Sequence, residues 1–126
     1  MRKFIPLAIT LFLLHTFEEA AFSFWKTDFT TIQISRILNL SPFTTYWIGQ
    51  FVLYLFLMLL LLIPYFATRW TLGLLGLLLL LEFWHPIIAL HSAHYEAGLI
   101  SGTILGVFSI FYFVRFLKAQ SKRTLE

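Results

Sequence analysis

Long apolar stretches alternate along the chain with short polar segments. Four stretches reach the length of about 20 residues that a helix needs to cross the hydrocarbon core of a membrane. They cover residues 4–24, 46–66, 70–91 and 99–117. None of the leucine-rich stretches shows the polar face that marks a helix at the surface of a soluble protein. The pattern therefore predicts four transmembrane helices.

The connection at residues 25–45 has a different pattern. It contains Asp28, a suitable helix N-cap, followed by apolar residues at near-helical spacing: Phe29, Ile32, Ile37 and Leu40. The sequence at residues 39–42, with its asparagine, serine and proline, is typical of a turn. We predict a short helix lying in the membrane interface, with a plain loop as the alternative.

Composition agrees with a membrane protein. Of 126 residues, 60% are hydrophobic and 12% are charged, against about 45–50% and about 25% in soluble domains. A water-soluble enzyme and a nucleic-acid-binding module are excluded, although the net charge is +3. We predict an all-α, single-domain bundle over residues 1–126, embedded in the lipid bilayer of a plasma or bacterial inner membrane.

Basic residues predict the orientation of the bundle. If both termini are cytoplasmic, seven of the lysines and arginines assigned to a side fall inside and only Lys26 and Arg36 fall outside. The opposite orientation would invert the positive-inside rule. We therefore predict N- and C-termini in the cytoplasm.

Two predicted spans carry ionisable residues, which are costly at membrane depth and indicate function. The first contains His15, Glu18 and Glu19, and the third contains Glu82 and His85. Spacings of three and four residues place the members of each set on one helical face. With a rise of about 1.5 Å per residue, the two sets reach the same depth. Gln50 in the second span lies near that depth too.

These carboxylates have no lysine or arginine at their level to pair with. A buried carboxylate without a cation takes up a proton or binds a metal, and paired Glu-x-x-His helices form metal centres in bundles. Because there is no cysteine, the ligands are nitrogen and oxygen, which suit zinc, iron or manganese. The predicted ligands are His15, Glu18, Glu19, Glu82 and His85, with His91 and His94 as further candidates that could instead be solvated at the helix end.

Three functions are compatible with such a site. A metal could activate water or dioxygen against an apolar or lipid-like substrate, with Glu18 or Glu19 as general base. Alternatively, the carboxylates could exchange protons for a small cation during transport. The third interpretation is structural: protonated glutamates and neutral histidines would only hold the helices together.

The last span begins with glycines four residues apart, Gly98, Gly102 and Gly106. They share one helix face and allow another backbone to approach closely. We favour a contact within the bundle, and a homodimer through the same face is the alternative.

The motif His15-Thr16-Phe17-Glu18-Glu19 resembles the one that names the HXXEE family of small membrane proteins. That family has several spans, carries the motif in the first helix and has a Tyr-x-Pro-Gly element near the start of the last. Tyr95-Glu96-Ala97-Gly98 is similar to this element, with alanine in place of proline. The family's Asn-x-x-x-His element is not intact, because Leu81 precedes His85 by four residues. The resemblance implies a site supported by Tyr95, in addition to Gln50, and implies no particular substrate.

Overall fold

A computed structural model describes residues 1–92 and 95–123, and within these residues the chain is helical without strands. The described residues form six α-helices: α1 (Ile5–Ala21), α2 (Phe29–Leu38), α3 (Pro42–Leu62), α4 (Arg69–Leu81), α5 (Trp84–Ser92) and α6 (Leu99–Arg123). Short 3-10 turns occupy Arg2–Phe4, Phe24–Lys26 and Pro64–Phe66. The all-α prediction is confirmed.

Four segments are long and apolar enough to cross a membrane: Arg2–Ala21, Pro42–Leu62, Arg69–His91 and Leu99–Ser121. In their most apolar windows only 22–33% of the residues are buried inside the protein. Many of the remaining apolar side chains, Phe17, Phe51 and Leu90 among them, face outward. Such a surface suits a hydrocarbon solvent, because water would be in contact with large apolar areas. The sides on which the termini lie stay a prediction.

The short helix predicted after Asp28 is present as α2. The Asp28 carboxylate accepts the backbone N–H of Thr31 at 2.6 Å, and Asn39 ends the helix in the left-handed conformation with φ of 54°. The next helix begins at Pro42, four residues earlier than the predicted span, because the Ser41 hydroxyl accepts the N–H of Thr44 at 3.0 Å. Proline at the first helical position needs no N–H partner.

The third predicted span is interrupted, which corrects the expectation of one continuous helix over residues 70–91. Helix α4 ends at Leu81, and α5 begins at Trp84. Pro86 explains the interruption, because it has no N–H to donate to the Glu82 carbonyl four residues earlier and, in a continuous helix, its ring would collide with that carbonyl. Glu82 thus lies at a helix end inside the membrane-length segment, with His85 one turn beyond.

The core lies between α1, α3, α4 and α6. Its fully buried members include Phe12, Leu57, Leu75, Leu105 and Tyr112. The Tyr112 hydroxyl donates to the Leu72 carbonyl at 2.8 Å. This packing holds one end of the bundle together, and the polar residues at the other end form the site.

The small-residue face of α6 packs against the α4–α5 interruption of the same chain. A β-carbon added at Gly102 would lie 2.9 Å from the Glu82 carbonyl oxygen, and one added at Gly106 would lie 1.8 Å from the Phe83 ring. The favoured contact within the bundle is therefore present. The homodimer stays a prediction, and the glycine face that it would use is occupied by the chain itself.

Candidate metal centre

Two histidines and two glutamates converge between α1 and the α4–α5 interruption. The Nε2 atom of His15 lies 3.3 Å from Glu19 Oε1 and 2.8 Å from Glu82 Oε2. The Nε2 atom of His85 lies 3.6 Å and 3.5 Å from the same two oxygens. His15, Glu19 and His85 are buried, and each offers a ligand atom within 4.8 Å of the other two. Glu82 is less enclosed, with 22% of its side chain exposed.

The second oxygen of Glu19 is held by α3. Glu19 Oε2 accepts the Tyr46 hydroxyl at 3.0 Å and the Gln50 amide at 3.3 Å. The Thr16 hydroxyl donates to the Gln50 amide oxygen at 2.9 Å, which turns the amide nitrogen of Gln50 toward Glu19. Glu19 therefore has one oxygen fixed by donors and the other, Oε1, facing the histidines.

Glu18 does not join this cluster; its carboxylate binds the N-terminus of α6. Oε2 accepts the Ser101 N–H at 2.8 Å and the Ser101 hydroxyl at 2.5 Å. Oε1 accepts the Ile100 N–H at 3.2 Å and the Tyr95 hydroxyl. The first N–H groups of a helix have no partner within it and carry partial positive charge. An anionic carboxylate is therefore well placed there.

A relay of hydrogen bonds joins Glu18 to the cluster and orients His15. The Ser101 hydroxyl donates its hydrogen to Glu18, so its oxygen accepts from His15 Nδ1 at 2.9 Å. With hydrogen on Nδ1, the lone pair of a neutral His15 is on Nε2 and points at Glu19 and Glu82. Acceptors so close to one another need a proton or a metal ion between them. This relay resembles the outer contacts that orient metal-binding histidines.

The family model described as "Protein of unknown function with HXXEE motif" matches residues 6–113. The chain belongs to the HXXEE family. No curated protein and no solved structure matches it. In this HXXEE protein the residues of the motif have different contacts: His15 and Glu19 belong to the cluster, whereas Glu18 binds the N-terminus of α6. The Tyr95–Gly98 element contacts the motif at both ends, because Tyr95 donates to Glu18 and Gly98 lies against the His15 ring.

The remaining predicted site residues lie in different places. Gln50 and Tyr95 contact Glu19 and Glu18, respectively. His91 is exposed near the end of α5 and is not among the side chains that converge on the cluster. His94 lies outside the described residues.

Sequence reasoning missed Tyr46 and Ser101. Tyr46 precedes Gln50 by four residues on α3, so it lies one turn away on the same helix face. Its position relative to Gln50 could have indicated that its hydroxyl reaches the site. Ser101 was indicated less clearly, because a serine between glycines is typical of helix packing in membranes.

Tyr95 should titrate late in this HXXEE protein. Burial, the hydrogen bond to Glu18 and the negative charge of that carboxylate together raise the pKa of Tyr95 to about 12. Because an unfolded tyrosine has a pKa of about 10, the contact should stabilise the fold fully below pH ~10. Its contribution should disappear as the pH rises through ~12. The titration of this hydroxyl is isolated by subtracting the spectrophotometric titration curve of Tyr95→Phe from that of the wild type. A difference curve centred near pH 10 would contradict the Tyr95–Glu18 contact.

Proposed function

We propose that this HXXEE protein is a membrane metalloprotein that binds one divalent cation through His15, Glu19, His85 and Glu82. Four ligand atoms about 2.0–2.1 Å from a tetrahedral ion lie about 3.3–3.4 Å from one another. The four nitrogen–oxygen distances, 2.8, 3.3, 3.5 and 3.6 Å, span this value. This convergence of ligand atoms is the observation that carries the proposal.

Charge balance is compatible with a divalent metal ion. Two carboxylates with two neutral imidazoles and one divalent ion have a net charge of zero, which is the least costly state in a low-dielectric interior. Neither lysine nor arginine takes part in the four contacts. Two protons, one of them between His15 and a carboxylate, would neutralise the cluster too, so metal analysis decides between the two states.

Zinc is the metal that the donor set favours. Two imidazoles and a carboxylate are the three protein ligands of many hydrolytic zinc sites, in which the fourth position is exchangeable. Glu82 suits the exchangeable position, because it lies at a helix interruption and is the most exposed of the four. Iron and manganese usually take more ligands than these side chains supply.

We infer that the activity is hydrolysis of an ester or amide in an apolar or lipid-like substrate. The ion would polarise the reacting carbonyl and water. Glu82 would accept the proton of the attacking water and pass it to the leaving group. Glu18 is less suited to be a base, because its lone pairs already accept four donors. Tyr46 and Gln50 would hold Glu19 in the ligating orientation.

Elemental analysis of protein purified without chelator tests the proposal. We expect about one zinc per chain, lost on dialysis against a strong chelator and restored by adding zinc back. The control is His91→Ala, because His91 is a histidine of the same protein outside the cluster and its variant should keep the metal. Protein that contains no stoichiometric divalent metal and takes up none would overturn the proposal.

Cation transport remains the second candidate, because α4 and α5 form an interrupted helix in a membrane-length segment. Interrupted helices beside ionisable residues are typical of transporters. Liposomes loaded with a pH dye separate the two functions. Zinc-driven proton efflux that requires Glu82 would favour transport, whereas tightly held zinc without flux would favour the enzyme.

A further inference from the structure

A groove between α2 and α3 leads to the metal centre from the side. Its volume is about 310 Å³, and Glu19, Tyr46 and Gln50 form its polar end. Ile34, Leu38 and Ile48 line its exposed end. Small-molecule sites have volumes of about 300–1,000 Å³, so the groove is large enough for part of a ligand.

Gly49 keeps this groove open. A β-carbon added at Gly49 would meet no atom within 4 Å, although the residue is in the middle of an α3 turn that otherwise carries side chains. One turn earlier, Thr45 also lines the groove, and its buried hydroxyl has no hydrogen-bond partner among the described residues. An unpartnered buried hydroxyl is costly unless a water or ligand satisfies it.

An aromatic ring lies beside the point at which Glu19 joins the groove to the metal centre. Phe24 lines the groove, and its ring centroid lies 5.3 Å from that of His85 and 6.3 Å from that of Tyr46. A polar group at the inner end of the groove would therefore lie beside Glu19 on one side and Phe24 on the other.

The lining also restricts the charge of a ligand. No lysine, arginine or histidine is among the described residues that line the groove, and Glu19 is its acidic group. With zinc bound, the cluster is neutral, so neither an anion nor a cation would find an opposite net charge in the lining. Either ion would lose its hydration without compensation. Hydroxyl and amide side chains suit an uncharged polar group.

We propose that the α2–α3 groove binds the polar end of an uncharged amphiphile, such as an alcohol, ester or amide, and brings it beside the metal centre. This inference rests on the proposed metal site and names the substrate class for it. The apolar part of the ligand would lie along Ile34, Leu38 and Ile48 and extend into the bilayer.

Photolabelling in nanodiscs tests the inference with three probes of equal chain length. The probes carry an alkyl diazirine and end in a primary alcohol, a carboxylate or a trimethylammonium group. We expect saturable labelling of α2 and α3 by the alcohol, at least about tenfold stronger than by either charged probe, which corresponds to one decade of affinity. Equal labelling by all three, or labelling that excess unlabelled alcohol does not compete away, would overturn the inference.

Two variants locate the binding site. Gly49→Leu fills the open space and should reduce alcohol labelling at least about fivefold, because a side chain there excludes the ligand by volume. Ala21→Leu, in the separate apolar groove between α1 and α6, should leave it unchanged. Zinc content is measured on the same samples. If zinc-loaded Gly49→Leu is labelled as strongly as the wild type, this inference alone is overturned. If the wild-type protein contains no zinc, the proposed function on which the inference rests is overturned.

Discussion

Glu19→Gln should leave the protein folded but unable to hold a divalent ion. The amide has the shape of the carboxylate and can still accept the Tyr46 hydroxyl, so the contacts with α3 should largely persist. The variant loses a ligand, however, and gives the zinc-loaded cluster a net positive charge in a low-dielectric interior. We expect zinc affinity to fall by more than the roughly 10–100-fold typical of losing an outer contact to a metal ligand. Competition with a chromophoric chelator measures this.

Glu18→Gln is the matched control, because it makes the same chemical change one residue away. In the proposed centre Glu18 would act on the metal only through Ser101 and His15, so zinc affinity should fall about 10–100-fold. Full occupancy should return in excess zinc. Equal and complete loss in both variants would show that Glu18 is itself a ligand. Retention of zinc by Glu19→Gln would contradict the proposed centre.

Thermal stability separates a metal site from a structural cluster. Interhelical hydrogen bonds in membrane bundles average about 0.6 kcal/mol, so a cluster that served only as structure should tolerate Glu19→Gln with a small change in Tm. Both a metal site and a structural cluster predict that Glu19→Gln changes the Tm of metal-free protein only slightly. Only the metal site predicts that added zinc raises the Tm of the wild type and not of Glu19→Gln.

The apolar pattern was sufficient to predict the helices, because each membrane-length helix satisfies its own backbone hydrogen bonds and needs little help from distant residues. The interruption of the third segment was also present in the sequence, since Pro86 removes a helical hydrogen bond. The interruption was not predicted, because the span was defined by hydropathy, and hydropathy gives no indication of the backbone geometry at Pro86.

The different contacts of Glu18 and Glu19 could not be predicted from the sequence pattern. Successive residues of a helix point about 100° apart, so spacing alone shows that the two side chains face different neighbours. Which of them faces the histidines depends on where the N-terminus of α6 packs. That contact joins residues separated by 83 positions, Glu18 and Ser101, and it arises from tertiary packing rather than from local sequence.

Gly98→Ala should disrupt the metal centre more severely than any other change that leaves its ligands in place. Gly98 has a φ of 85°, a conformation that costs a residue with a β-carbon about 1–3 kcal/mol. The added carbon would also lie 2.7 Å from His15 Cε1 and 3.0 Å from His85 Nδ1. Both histidine rings would have to move, and the Ser101 hydroxyl holds that of His15 in place.

We therefore expect Gly98→Ala to lower the Tm and to lose stoichiometric zinc, measured by differential scanning fluorimetry and elemental analysis. The matched control is Gly49→Ala, whose added carbon meets nothing within 4 Å and which should gain up to about 1 kcal/mol from helix propensity. Because an alanine is small, Gly98→Ala should still insert as a helical bundle, so loss of zinc can be measured on folded protein.

If Gly98→Ala binds zinc with wild-type affinity, the histidine rings do not lie against Gly98, and the geometry of the centre is wrong. If instead zinc is lost while the Tm is unchanged, the rings have moved at no cost to the fold, and neither the packing at Gly98 nor bound zinc contributes to its stability.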